Sequence, residues 1–226
     1  AMIAKTISET EARFFDGFQR RTIEAAMARI IPPDHEPGAS EAGTIDFLDR
    51  YLSGIDYVHA KPDGSGFTQL EGKRAEAWQQ RIEIVRQKYL EGIDELNQRS
   101  RAEFGDDFAE LAPDQQDAVL AMMEGPIREQ ERAREEEQSV AGFTPPEPAL
   151  QQIAAEIDLD FFPLLVLHTR QGFLADPIYG GNRDRVGWDV IGFPGPPSLA
   201  AAHAGRYSTL PYFAEAGDAS GEKVSR

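Results

Sequence analysis

The sequence predicts a mainly α-helical protein: a single-domain helical bundle followed by a long irregular C-terminal segment rich in glycine, proline and aromatic residues. Apolar residues recur at three- and four-residue spacing along several stretches, as amphipathic helices require. Alternation of β-branched residues is nearly absent, so any sheet should be limited to a small hairpin. We therefore predict a helical domain at residues 6–195. A C-terminal extension at residues 196–226 is expected to lie on a partner or to be disordered.

The first two helices are predicted from their caps and their apolar spacing. Ser8 and Glu11 match a capping box, so the first helix is expected at about Glu9–Arg29, before the proline pair that starts at Pro32. Its predicted inward residues are Phe15, Phe18, Thr22 and Ala26. Ser40 is a candidate cap for the second helix, at about Glu41–Leu52, whose predicted inward residues are Ile45, Leu48 and Leu52.

The longest helix follows a polar, glycine-rich stretch and is predicted at about Glu71–Gln98. Its apolar stripe has helical spacing and consists of Trp78, Ile82, Val85, Tyr89, Ile93 and Leu96. Two short helices are predicted next, near Ala102–Leu111 and Asp114–Met123. A last apolar helix is expected to start with Asp160 as its N-cap and to end near Gly172. Pro163 then lies in the first turn, where its missing N–H breaks no helical hydrogen bond.

Composition excludes several functional classes. The net charge is −16, with 23 basic and 39 acidic residues, so nucleic acid is a poor partner. No cysteine is present, which excludes disulfides, thiolate-bound iron–sulfur clusters and Cys-x-x-Cys-His haem attachment. No apolar run is long enough for direct membrane insertion. We expect a periplasmic location, with an export leader removed or supplied elsewhere, or a cytoplasmic one if Met2 is the native start.

No catalytic, cofactor-binding or metal-binding residue is predicted in this chain. The four histidines form no His-Glu-x-x-His pair, and there is no Gly-x-Gly-x-x-Gly, Walker or Gly-x-Ser-x-Gly motif. His168 is expected to be a hydrogen-bonded core residue, with a ligand or acid–base role as the alternative. The carboxylates of Asp46 and Asp49 are expected to face water.

The segment Gly172–Gly195 is the most unusual part of the sequence. It holds many glycines, which permit positive φ and close backbone approach, beside aromatic residues of the kind found at interface hot spots. We predict a partner interface here, with Trp188 as its anchor; a loop packed on its own core is the alternative. The predicted interface residues are Tyr179, Gly180, Gly181, Asn182, Trp188 and Phe193.

This segment resembles the gluconate 2-dehydrogenase subunit 3 family. The most specific matching blocks are Asp176-Pro177-x-Tyr179-Gly180-Gly181-Asn182 and Gly187-Trp188-x-x-Ile191-Gly192-Phe193-Pro194-Gly195. Weaker matches upstream include Phe161-Phe162, Thr169-x-x-Gly172-Phe173, Phe14-Phe15, Ile30-Ile31-Pro32, Pro37-Gly38-Ala39, Ile45-Asp46-Phe47-Leu48-Asp49 and Phe104-Gly105-x-x-Phe108-x-x-Leu111. The resemblance covers about residues 10–195.

The resemblance implies an accessory role in carbohydrate oxidation. Members of this family are small subunits, often chaperone-like, that pair as heterodimers with a large flavoprotein of the glucose–methanol–choline oxidoreductase family. The large subunit holds FAD and the catalytic histidine, and a cytochrome is often the electron acceptor. Sugars, sugar acids and glycosides are the usual substrates, glucoside 3-dehydrogenase being one such activity. The resemblance thus implies no cofactor in this chain and FAD in its large partner.

Two other functions are considered. One is a stand-alone sugar-binding module, for which Asn182, Arg183, Asp184 and Trp188 are a candidate sugar-contacting set. The other is an independent enzyme that uses His168. Purification of the chain alone distinguishes them, because flavin or turnover would favour the enzyme and sugar affinity would favour the module.

Overall fold

The computed structural model describes residues 13–54, 57–61, 67–124 and 156–196, and these residues are mainly helical, which confirms the predicted fold class. They fall into two compact units. The first lies within Ala1–Ile55 and Glu76–Phe193, and the second within Asp56–Ala75 and Pro194–Arg226. The division into a domain at 6–195 and an extension at 196–226 stays a prediction, because most of the extension lies outside the described residues.

Helices form the first unit. They are α1 (Gly17–Ile30), α2 (Thr44–Leu52), α3 (Gly72–Phe104, from Glu76 onward), α4 (Pro113–Glu124), α5 (Phe161–Leu174) and α6 (Val186–Val190), with single 3₁₀ turns at Phe108–Glu110, Pro177–Tyr179 and Arg183–Arg185. The second unit contains a hairpin in which β1 (Tyr57–Ala60) pairs antiparallel with β2 (Phe67–Gln69). Among the described residues, β-structure is thus a single small hairpin, as expected.

Helix α1 begins later than predicted. Its capping box is formed by Asp16, whose side chain accepts hydrogen bonds from the backbone N–H groups of Phe18 and Gln19, both at 2.8 Å. The Gln19 side chain in turn accepts from the Asp16 N–H. Residues 13–16 are not helical, so the predicted start at Glu9 is wrong, and Ser8 and Glu11 lie outside the described residues. The predicted end, before the proline pair, is confirmed.

The inward face of α1 is turned slightly from the predicted one. Phe18 is exposed, which contradicts the prediction, whereas Thr22 and Ala26 are buried as predicted. Phe15 is also buried, but it precedes the helix. With the cap at Asp16, the buried positions form a stripe of Thr22, Ile23, Ala26 and Met27.

Helix α2 is shorter than predicted at its start. Ser40 does not cap it; residues 40–43 form turns, and the N-cap is Gly43 in a left-handed conformation with φ 62°. Glycine adopts this conformation without the steric cost that a side chain brings. The predicted inward residues Ile45, Leu48 and Leu52 are all buried.

Helix α3 is longer than predicted and replaces the first of the two short helices. It continues through Asn97 and Ser100, whose buried side chains donate to the carbonyl groups of Ile93 and Leu96 within the helix. Gly105, with φ 89°, follows its end. The predicted stripe is buried except for Trp78, which is half-buried. No helix in the described ranges, α3 included, is both long and apolar enough to cross a bilayer.

Helices α4 and α5 agree with the sequence prediction. Pro113 starts α4, and Asp160 occupies the N-cap position of α5, although its side chain makes no capping hydrogen bond. Pro163 lies in the first turn of α5, as predicted. The helix ends two residues beyond Gly172, at Leu174.

One hydrophobic core unites the first unit. Buried residues of α1 to α5 contribute to it, and aromatic rings lie near its centre: the ring of Tyr89 packs edge-on against those of Phe15 and Phe161, with centroid distances of 5.9 and 5.7 Å. At the surface, Arg29 of α1 binds Asp117 of α4 through two hydrogen bonds of 2.7 and 2.8 Å. The core therefore fixes α5 against α3, which matters for the polar residues described below.

We predict that Gly92→Ala destabilises the protein by about 1–3 kcal/mol, although alanine is the better helix former. Gly92 lies in α3, and a Cβ at this position would overlap the ring of Phe161. The matched control is Gly17→Ala in α1, where the nearest atom to a Cβ is 3.8 Å away. Urea unfolding should show a loss of stability for Gly92→Ala only. Equal stability of the two variants would contradict this packing.

Candidate functional site

His168 is the first candidate for chemistry, and it lies in the interior of the first unit. It is fully buried on α5, and both ring nitrogens have partners. Nδ1 lies 2.8 Å from the hydroxyl of Tyr89 on α3, and Nε2 lies 3.0 Å from Oε1 of Glu156. The imidazole also stacks on the Tyr89 ring, with an interplanar angle of 17°. The prediction of a hydrogen-bonded core histidine is confirmed.

Glu156 is the only carboxylate in this cluster, and it connects three elements. Its Oε1 accepts from the hydroxyl of Tyr51 on α2 at 2.7 Å, as well as from His168. Its other oxygen forms an ion pair with Arg81 on α3. Glu156 is itself buried. We refer to Tyr51, Arg81, Tyr89, Glu156 and His168 as the buried polar cluster.

The hydrogen bonds assign the protonation state of His168. A neutral ring with hydrogen on Nε2 donates to the Glu156 carboxylate and accepts from the Tyr89 hydroxyl, so both ring nitrogens have a partner of matching role. Burial, followed by the charge of Arg81, lowers the pKa of His168 to about 3. Burial also raises the pKa of Tyr51 to about 12 and that of Tyr89 well above its ordinary value. The cluster thus keeps its histidine and both tyrosines neutral at pH 7.

Asp49 is a second buried carboxylate, which corrects the expectation that it faces water. Only 2 % of it is exposed, and it accepts hydrogen bonds from the backbone N–H groups of Phe14 and Phe15 at 2.6 and 3.0 Å. Arg20 of α1 binds it at 2.8 Å and also binds Asp46, which is partly exposed. The two carboxylates are one helical turn apart on α2, and they hold the chain before α1 in place.

The glycine-rich loop, residues 175–193, is attached to both α2 and α5. The guanidinium of Arg183 binds Asp46 at 2.7 Å, and Arg50 donates to the carbonyl of Ile178 at 2.7 Å. A Cβ at Gly181 would overlap the carbonyl of Gly172, and one at Gly187 would overlap that of Phe173. Neither Gly181 nor Gly187 has positive φ, so glycine is required at these two positions for close approach of the backbone.

Asn182 fixes the conformation of this loop. It is fully buried; its amide nitrogen donates to the carbonyl of Ala175 at 2.8 Å, and its amide oxygen accepts from the N–H of Gly187 at 2.7 Å. Asn182, Asp184 and Arg185 all have positive φ, of 49°, 55° and 67°. Such conformations cost about 1 kcal/mol or more in non-glycine residues, so the surrounding contacts must compensate.

Trp188 packs inside its own chain. It is 7 % exposed, and its indole N–H donates to the carbonyl of Leu174 at 2.8 Å. The Phe193 ring lies edge-on to it at 5.2 Å, and the guanidinium of Arg185 lies 5.3 Å from the ring centre. In the free chain, Trp188 therefore organises the loop, as the self-packed alternative proposes, and presents little surface of its own to a partner.

The six predicted interface residues are close together but differ in exposure. Gly181, Asn182 and Trp188 are buried, whereas Tyr179, Gly180 and Phe193 are half-buried. Their contact with a partner stays a prediction. Two large apolar residues, Leu174 and Ile191, are 42 % and 55 % exposed. Both lie within the segment Gly172–Gly195 for which an interface was predicted, but neither was among the six residues named.

Only two members of the candidate sugar-contacting set, Arg183 and Asp184, are exposed. Asn182 and Trp188 are buried and use their polar atoms within the chain, and Arg183 is bound to Asp46. As for metals, the described ranges contain no group of three or more His, Asp or Glu side chains placed to hold an ion. The partners of His168 were also missed: Tyr89 is 79 residues away in sequence and Glu156 is 12 residues away, and neither spacing marks a contact with the histidine.

Comparison with known proteins gives one match. The family model described as gluconate 2-dehydrogenase subunit 3 matches residues 18–195, which include the buried polar cluster and the whole glycine-rich loop. No curated protein and no solved structure matches the chain.

The lowered pKa of His168 predicts a loss of stability in acid. The folded state holds His168 neutral down to about pH 3, whereas the unfolded chain binds a proton near pH 6.5, so acid favours unfolding between these values. From pH 7 to pH 4.5, His168 should account for about 2–3 kcal/mol of lost stability. Urea unfolding at both pH values should show a smaller loss in His168→Gln. The exposed residue His35 provides the control, since His35→Gln should keep the full loss. An unchanged loss in His168→Gln would contradict the assignment.

The Asn182 contacts predict that Asn182→Ala destabilises the free chain by about 2–4 kcal/mol. The variant loses two hydrogen bonds and places alanine at positive φ. The control is Asp184→Gly, at an exposed neighbour with similar φ, where glycine removes the steric cost and stability should change by about 1 kcal/mol or less. Thermal unfolding measures both. An Asn182→Ala chain as stable as the Asp184→Gly chain would show that the two Asn182 hydrogen bonds contribute little to stability.

Proposed function

The chain belongs to the gluconate 2-dehydrogenase subunit 3 family, and from this premise we propose that it is a non-catalytic small subunit. In this proposal it binds and stabilises the catalytic subunit of a FAD-dependent sugar or glucoside dehydrogenase, and it can assist export of that subunit. The family description supports the coarser part, membership in a multi-subunit dehydrogenase. The flavoprotein of the glucose–methanol–choline oxidoreductase family, its FAD and a cytochrome acceptor are the finer parts of the proposal.

The enclosure of His168 carries this proposal. A general acid or base must come within hydrogen-bonding distance of the group that it protonates or deprotonates. His168 is fully buried, both of its nitrogens bind side chains of the same chain, and its lowered pKa keeps it neutral. The one histidine singled out as a candidate catalyst therefore serves the fold. This supports a chain that assists chemistry performed on another subunit.

The same reasoning weakens the sugar-binding alternative. A tryptophan that stacks on a sugar needs one ring face open, whereas Trp188 is buried beside Phe193 and Arg185. An asparagine that reads hydroxyl groups needs a free amide, whereas both polar atoms of Asn182 bind backbone groups. These side chains instead hold the glycine-rich loop in its conformation. A loop with exposed apolar residues beside it is better suited to binding a protein than to binding a sugar.

The experiment compares the chain purified alone with the chain coexpressed with a candidate large flavoprotein subunit, to be sought in the neighbouring reading frame. We expect no flavin absorbance, no dye-linked turnover and no sugar affinity for the chain alone. We expect a one-to-one complex that contains FAD, and more soluble flavoprotein than in expression without this chain. Near-stoichiometric flavin or turnover in the isolated chain would contradict the non-catalytic role. Millimolar or tighter sugar binding by the isolated chain would favour the module.

A further inference from the structure

We propose that Leu174, Ile191 and Phe193 form the docking face through which this chain binds the flavoprotein subunit, and that the contacting surface of that subunit is apolar. The inference rests on the proposed function and adds the place of contact. It shifts the centre of the interface from the buried Trp188 to the apolar residues that surround it. We refer to these three residues as the docking face.

The docking face is held together by Trp188. Its indole binds the carbonyl of Leu174, its ring packs against Phe193, and the N–H of Phe193 donates to its carbonyl at 2.7 Å. Ile191 lies within the turn closed by that last bond, and it is the most exposed large apolar residue among those described. The other exposed ones, Phe18, Ile84 and Met122, lie on three separate helices. Single exposed apolar residues are common, but an exposed group around a buried tryptophan indicates a contact site.

The loop that presents this face is fixed before any partner arrives. The side chain of Asn182 binds two backbone groups at either end of the loop's first turns. Gly181 and Gly187 let the loop pack directly on the backbone of α5. Asn182, Asp184 and Arg185 have positive φ. A fixed loop does not lose conformational entropy on binding, so more of the contact free energy contributes to affinity. Positive φ in non-glycine residues is also concentrated at binding sites, where surrounding contacts maintain it.

Charge around the face favours a protein partner. The whole chain carries −16, yet residues 170–193 carry three arginines and three aspartates and are therefore neutral. Arg170, Arg183 and Arg185 are exposed, as are Asp184 and Asp189. An apolar centre with a mixed polar rim is the usual composition of a protein interface. A neutral face also lets a partner approach an otherwise acidic chain without net repulsion there.

The test uses the full chain and the flavoprotein subunit obtained in the coexpression experiment above, and it measures their dissociation constant. Ile191→Asp and Leu174→Asp place a carboxylate in the proposed contact, and each should weaken binding by about thirtyfold or more. Ile84→Asp, at a residue of α3 that is 45 % exposed, is the matched control and should leave binding within about threefold. The melting temperature of each free variant shows whether it folds. Ile191→Asp carries the test if Leu174→Asp unfolds, because Ile191 is more exposed.

Each outcome is distinct. Weaker binding by the folded variants at Leu174 or Ile191, with Ile84→Asp unchanged, supports the docking face. If the native chain binds and all three variants bind equally well, the docking face is wrong while the proposed function stands. If the native chain binds no flavoprotein, the proposed function fails, and the docking face fails with it. If the substitutions instead turn a dimer of this chain into monomers, the face joins two copies and the inference is overturned.

Discussion

Close contact between α5, α2 and the glycine-rich loop is the constraint on which the rest of the structure depends. Gly172, Gly181 and Gly187 sit where a Cβ would collide with neighbouring backbone or with Thr44, so the three segments approach more closely than side chains normally permit. This approach places Asn182 between Ala175 and Gly187, and it brings the indole of Trp188 to the end of α5. The loop is therefore an integral part of the helical unit. The exposed residues of the loop are therefore held in place by contacts with the core.

The buried polar cluster fixes the other side of α5. Burying an ionised carboxylate is costly unless it is paired and fully hydrogen-bonded. Glu156 meets that condition through Tyr51, Arg81 and His168, which come from α2, α3 and α5. Such a cluster specifies one arrangement of these helices more strictly than apolar packing does, because a shifted helix would leave a buried charge without its partners. Side chains that could otherwise perform acid–base chemistry here fix α5, the helix on which the glycine-rich loop packs.

Local features of the fold were predictable from sequence, and remote ones were not. Asp160 and Pro163 define the start of α5 through their own backbone properties, and the stripe of α3 follows from spacing alone. The predicted start of α1 was wrong because the capping box is formed by Asp16 with Gln19. The non-helical residues just before it are held by Asp49, which accepts from the N–H groups of Phe14 and Phe15 and is remote in sequence. Burial of Asp49 depends on N–H groups more than thirty residues away. Both roles predicted for the glycines occur in this segment: Gly181 and Gly187 permit close approach, and Gly180, Gly192 and Gly195 have positive φ. The positive φ of Asn182, Asp184 and Arg185 was not predicted, because it depends on contacts with the rest of the fold.

We propose that the helical core of this small subunit presents one apolar edge to a flavoprotein subunit. Hydrogen–deuterium exchange of the chain, alone and in complex with the proposed flavoprotein subunit, tests this most directly. Amides of residues 174–193 should gain protection on binding, while those around His168 on α5, already buried in the free chain, should change little. Unchanged exchange at residues 174–193 in a complex that has formed, with new protection on another surface, would contradict the account.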